Sequence, residues 1–148
     1  MSAAARYHAG ETREGVAMQI IGIDHVVLRV HALARMVDFY ERVLGCEVVH
    51  RQEDLGLVHL RAGSSLIDLV DVAGTLGRKG GAAPTAGQGH NMDHLCLRVA
   101  DFDADAIRRT LEAQGVQLGE TAERYGSTGK ATSVYLADPE GNGLELRA

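Results

Sequence analysis

The chain has 148 residues, of which 45% are apolar and 4% aromatic, and its net charge is −5. This fits one globular domain that can bury a core without staples, and it excludes a disordered chain. An acidic balance with no basic block and few stacking rings excludes nucleic-acid binding, and no apolar run approaches the roughly 18 residues of a membrane-spanning helix.

Residues 1–17 are polar and rich in Ala and Gly, with no apolar stretch of the kind a secretory signal needs. They read as a flexible N-terminal tail, and a single domain is expected over residues 18–148. Met18 opens the first apolar run. A strand follows at His25–Val30, then helical spacing of Leu33, Met36, Val37, Tyr40, Val43 and Leu44, with Gly45 as the stop. Three short strand-like runs come next, at Cys46–Arg51, Leu57–Arg61 and Leu66–Asp71. Residues 72–91 are rich in Gly, Ala and Pro without periodicity, which marks a linker.

After the linker the pattern starts again. Asp24-His25-Val26-Val27-Leu28-Arg29-Val30 recurs as Asp93-His94-Leu95-Cys96-Leu97-Arg98-Val99. A helix is expected through Ala104, Ile107 and Leu111, capped by Asp101 or Asp103 and stopped by Gly115. Strands are expected at Val116–Glu120, Ala131–Ala137 and Leu144–Arg147. The fold class is therefore α+β: two tandem βαβββ modules, 18–71 and 92–148, joined by linker 72–91. Side by side they predict a cupped, eight-stranded mixed sheet with the helices on its outer face.

Period-two alternation assigns the faces. Val26, Leu28 and Val30 belong under a helix, as do Leu95, Leu97 and Val99. His25 and Arg29, with His94, Cys96 and Arg98, then line the cup. The last strand of each module carries an acid between apolar neighbours, Ile67-Asp68-Leu69 and Leu144-Glu145-Leu146, so both acids also face the cup. Lone buried carboxylates are costly unless paired. Two imidazoles and two carboxylates at equivalent places suit one divalent cation, whether Ni, Zn, Co, Mn or Fe, held by His25, Asp68, His94 and Glu145. The competing reading is that Arg29 and Arg98 pair with the two acids. His59 is a further candidate for the cup. Cys46 and Cys96 lack disulfide-framework spacing, which points to a reducing, cytoplasmic compartment. The open edges of a two-module sheet predict a homodimer.

These residues resemble the vicinal-oxygen-chelate superfamily, which includes glyoxalase I, extradiol dioxygenases, fosfomycin-modifying enzymes and bleomycin-binding proteins. The likeness rests on Ile23-Asp24-His25-Val26, Phe39-Tyr40-x-x-Val43-Leu44-Gly45, Asp93-His94-Leu95 and the ending Leu136-Ala137-Asp138-Pro139-Glu140-Gly141-Asn142-Gly143-Leu144-Glu145-Leu146. It implies metal ligands on the first and last strands of each module, at the four positions named above. The glyoxalase I pattern is the nearest by ligand set, with Asp68 one methylene shorter than the usual Glu or Gln. It implies a lactoylglutathione lyase-like isomerase or lyase acting on a small carbonyl or thiol-conjugate substrate, such as a glutathione adduct. Glu145 would be the catalytic base, removing a proton beside a carbonyl while the metal holds the enediolate. Arg29 matches a glyoxalase arginine that contacts glutathione, and Lys130 and Tyr135 join it as substrate-binding candidates. The alternatives are an extradiol-type dioxygenase or fosfomycin-type thiol transferase using only His25, His94 and Glu145, and a non-enzymatic drug-binding protein.

Overall fold

The computed structural model describes residues 22–83, 85 and 92–148. The expected tail at 1–17, the start of module one and residues 84 and 86–91 of the linker lie outside the described residues. Strand β1 (His25–Val30) leads into helix α1 (Leu33–Asp38), followed by β2 (Glu47–Gln52), β3 (Leu57–Ala62) and β4 (Ser65–Asp71). The second module repeats this with β5 (His94–Arg98), α2 (Ala104–Ala113), β6 (Leu118–Gly126), β7 (Gly129–Ala137) and β8 (Gly143–Arg147).

Each module is a four-stranded mixed sheet, ordered β1-β4-β3-β2 and β5-β8-β7-β6. The first and last strands of each module run parallel, and the other neighbours are antiparallel. The tandem α+β architecture is as expected. The eight strands form two sheets of four, which leaves β1 and β5 as edge strands.

Several boundaries differ from the sequence pattern. The first helical run changes winding at Phe39–Val43, which forms a π-helical turn after α1. Strand β6 begins and ends later than expected, because Tyr125 and Gly126 extend its ladder to meet Gly129 and Lys130 of β7. The linker is not wholly irregular: Gly77–Gly80 makes a 3₁₀ turn. Of the two candidate caps for α2, Asp103 is the one used, its carboxylate accepting from the Ala106 amide at 2.9 Å.

One core serves both modules. Leu28, Val30, Met36, Tyr40, Leu60, Ile67 and Leu69 from module one form a cluster with Leu111, Leu136, Leu144 and Leu146 from module two. The Asp138–Asn142 turn braces this union. Asp138 Oδ1 accepts from the amides of Glu140 and Asn142, and Oδ2 accepts from the buried Tyr40 hydroxyl at 2.9 Å. The Glu140 carboxylate accepts from the backbone amides of His31 and Ala32, just before α1. Burial above all, then the Asp138 charge and hydrogen bond, hold the Tyr40 phenol far above its ordinary range. Among the described residues no helix is long and apolar enough to cross a membrane.

Candidate metal centre

The register puts the predicted ligands at matching places. Asp68 lies opposite Val27 on β1, and Glu145 lies opposite Cys96 on β5. Each is two residues past the histidine of the neighbouring strand, so His25 and Asp68 share one face of their sheet, as do His94 and Glu145. Both acids are buried between apolar neighbours that point to the core.

Each histidine is oriented by the aspartate before it. His25 Nδ1 is 2.7 Å from Asp24 Oδ1, and His94 Nδ1 is 2.7 Å from Asp93 Oδ2. A carboxylate on Nδ1 fixes the tautomer that leaves Nε2 to bind something else, the usual support of a metal-ligating histidine. The Asp24 hydrogen bond, with the Asp68 charge nearby, raises the His25 pKa against the lowering effect of desolvation. On the other module, His94 Nε2 lies 3.0 Å from Glu145 Oε2. The repeated Asp-His pair was the sequence signal for this device.

Glu145 is held by several donors. The Ser133 hydroxyl, fully buried, donates to Oε1, and Tyr135 and Cys96 lie beside this carboxylate, Cys96 and Tyr135 being its ladder partners on β5 and β7. Burial alone would raise the Glu145 carboxyl. The Ser133 hydrogen bond, the Tyr135 hydroxyl, the His94 charge and the Cys96 thiol outweigh it and hold the group below its ordinary value. Tyr135 packs edge-on against His94, with ring centroids 5.8 Å apart, and the Arg124 guanidinium lies over the Tyr135 ring. Asp68 has a different partner: His59 Nδ1, at 2.8 Å from Oδ1. Sequence reasoning missed Ser133 altogether.

The four predicted ligands therefore come together as two pairs and not as one set of four. Among the described residues of one chain, no three His, Cys, Asp or Glu side chains stand close enough to hold a metal ion. The donor chemistry nevertheless fits one: two oriented imidazoles and two buried carboxylates, one of each per module.

The competing reading, in which Arg29 and Arg98 pair with the acids, is not met among the described residues. Arg29 donates to the carbonyls of Gly77, Gly80, Gly81 and Ala82, and its buried Nε has no partner among the described residues. All four hydrogens on its terminal nitrogens are used by the linker, so in this chain it is not offered to a substrate. Lys130 is exposed at the start of β7. Between the modules lies an apolar cavity of about 890 Å³ whose wall includes Leu95, Leu97, Ile107 and Leu111, with His25, Arg61, Arg98 and the thiols of Cys46 and Cys96 also on it.

The family model for the Glyoxalase/Bleomycin resistance protein/Dioxygenase superfamily matches residues 22–146. The chain belongs to this superfamily. It is 33% identical to the virulence protein STM3117 of Salmonella typhimurium, over 90% of this chain and 88% of that one. It is 27% identical to a lactoylglutathione lyase of Pseudomonas aeruginosa, over 92% and 90% of the two chains. Among solved structures of the superfamily's fold, an integron cassette protein from V. cholerae superposes with a TM-score of 0.69 at 30% identity, covering 88% of this chain and 96% of that one.

Proposed function

We propose that this protein is a metal-dependent isomerase or lyase of the glyoxalase type, working as a homodimer on a small carbonyl or thiol-conjugate substrate. The observation that carries this reading is the matched pair of half-sites. Each module presents one aspartate-oriented imidazole and one buried carboxylate on the same face of its sheet. A half-site supplies two protein ligands, too few for a closed divalent site. A second copy, apposing its module two to module one of the first, completes the set of His25, Asp68, His94 and Glu145 and covers the open edges of β1 and β5.

A divalent ion held there supplies Lewis acidity that stabilises negative charge on a substrate oxygen. The chain's own part is to hold and move a proton. Glu145, its carboxyl held below the ordinary value and its Oε1 fixed by Ser133, is the group to take a proton from the carbon beside the substrate carbonyl. The Arg61 and Arg98 guanidiniums beside the apolar cavity suit the carboxylates of a glutathione adduct. The free thiols of Cys46 and Cys96 agree with a reducing, cytoplasmic setting.

The test is metal analysis of purified protein together with turnover of the hemithioacetal of methylglyoxal and glutathione. We expect about one divalent ion per pair of modules and measurable turnover. Metal-free protein with no turnover after metal is supplied would overturn the reading. The His59 contact on Asp68 favours one other arrangement, a three-ligand site of His25, His94 and Glu145 as in dioxygenases and thiol transferases. Unchanged metal content and activity in Asp68→Ala would select it.

A further inference from the structure

We propose that His59 is the positioning residue for Asp68, holding it as a one-oxygen metal ligand, with Gln52 fixing the tautomer of the imidazole. This rests on the metal-binding reading above. His59 faces Asp68 directly across the β3–β4 ladder, and its Nδ1 is 2.8 Å from Asp68 Oδ1. Its other ring nitrogen, Nε2, is 3.1 Å from the Gln52 amide nitrogen. That amide nitrogen can only donate, so Nε2 accepts and the ring hydrogen sits on Nδ1, pointed at Asp68. His50 stacks on the same ring at 5.6 Å, and the side chains of His59 and Asp68 are 17% and 7% exposed. The carboxylate is thus fixed through Oδ1, and Oδ2 makes no hydrogen bond among the described residues.

The internal repeat supplies independent support. Tyr135 occupies the place in module two that His59 occupies in module one, directly across the ladder from the acid of the last strand. Two residues earlier on the same strand, the Ser133 hydroxyl donates to that acid. The side chains differ, but the device is the same: the third strand of each module donates to the carboxylate of the last strand, from His59 in one and Ser133 in the other. Asp68 has the greater need, because aspartate is a methylene shorter than glutamate and has no serine partner of the Ser133 kind. Groups that orient ligating side chains typically change metal affinity by about 10–100-fold when removed.

The experiment is a Co²⁺ titration, read by visible absorption and by competition with a chelator, on full-length wild type, His59→Leu, His59→Asn, Gln52→Leu and Asp68→Ala. Thermal melting of each metal-free protein runs alongside. His59→Leu should weaken Co²⁺ about 10-fold or more and alter the absorption band. His59→Asn, whose amide donates from nearly the same place, should recover most of that affinity, and Gln52→Leu should show a smaller loss than His59→Leu. If wild type binds no Co²⁺, the metal reading and this proposal fall together. If Asp68→Ala binds like wild type, Asp68 is not a ligand and only the three-ligand reading survives. If Asp68→Ala weakens binding while both His59→Leu and Gln52→Leu bind like wild type, the positioning role alone is overturned. That role is also overturned if losses in affinity merely track losses in melting temperature across the series, without rescue by His59→Asn.

Discussion

Glu145 and Asp68 occupy equivalent strands and face the same way, yet their hydrogen-bond partners differ. Glu145 has its charge stabilised by Ser133, Tyr135, His94 and Cys96. Glu145→Gln keeps an oxygen donor and the size of the side chain but removes the proton acceptor. Turnover should fall about 100-fold or more while metal is retained, and full activity would refute the base assignment. Tyr40 makes a separate prediction about pH. Its hydroxyl is buried against Asp138, so Tyr40→Phe should cost about 1–3 kcal/mol at neutral pH. The folded-state pKa of Tyr40 is raised above the unfolded value near 10. The stability it contributes is therefore fully present below about pH 10 and is lost as pH rises further, when the unfolded state alone ionises. The gap between wild type and Tyr40→Phe in denaturant melts should narrow above that pH, and a constant gap would contradict the assignment.

Secondary elements explain how these side chains reach their places, and which were legible in advance. Period-two alternation and the repeat revealed the face each strand would bury, because a sheet with one covered face must alternate. That was enough to put His25 with Asp68, and His94 with Glu145, on one face of their sheets. It was not enough for Arg29. Strand pattern indicates the side a guanidinium leaves from, but its partners are carbonyls of a turn far along the chain, Gly77–Gly81, whose shape no local periodicity encodes. A Cβ on Gly80 would stand 2.6 Å from Arg29 Nε, so this turn can wrap the arginine only because position 80 has no side chain. Arg147 of module two is treated alike. It is buried under the β6–β7 hairpin, donating to the carbonyls of Arg124 and Gly129. Arg29→Ala should therefore speed hydrogen exchange and proteolysis at residues 77–82 and leave metal content unchanged. A raised KM for a glutathione adduct with no change in exchange would return Arg29 to substrate binding.

For the whole molecule, the decisive matter is which faces the two modules turn toward each other. The internal repeat reveals the number of modules and their internal order but carries no signal for how they dock. Docking depends on contacts such as Tyr40 to Asp138 and Glu140 to the amides before α1, which join residues about a hundred positions apart. With the core built between the modules, each module of one chain holds one imidazole and one carboxylate, and in the proposed dimer the symmetry between two copies would complete both sites at once. The direct test uses His25→Ala and His94→Ala, each of which alone should abolish metal binding. When the two variants are unfolded, mixed and refolded, or co-expressed, each mixed dimer contains one undamaged site, built from module one of one chain and module two of the other. The metal content of the mixture should recover to about one quarter of the wild-type value, since random pairing makes half of the dimers mixed. No recovery in a mixture shown to contain mixed dimers would contradict a site shared between two copies, as would full metal binding by either variant alone.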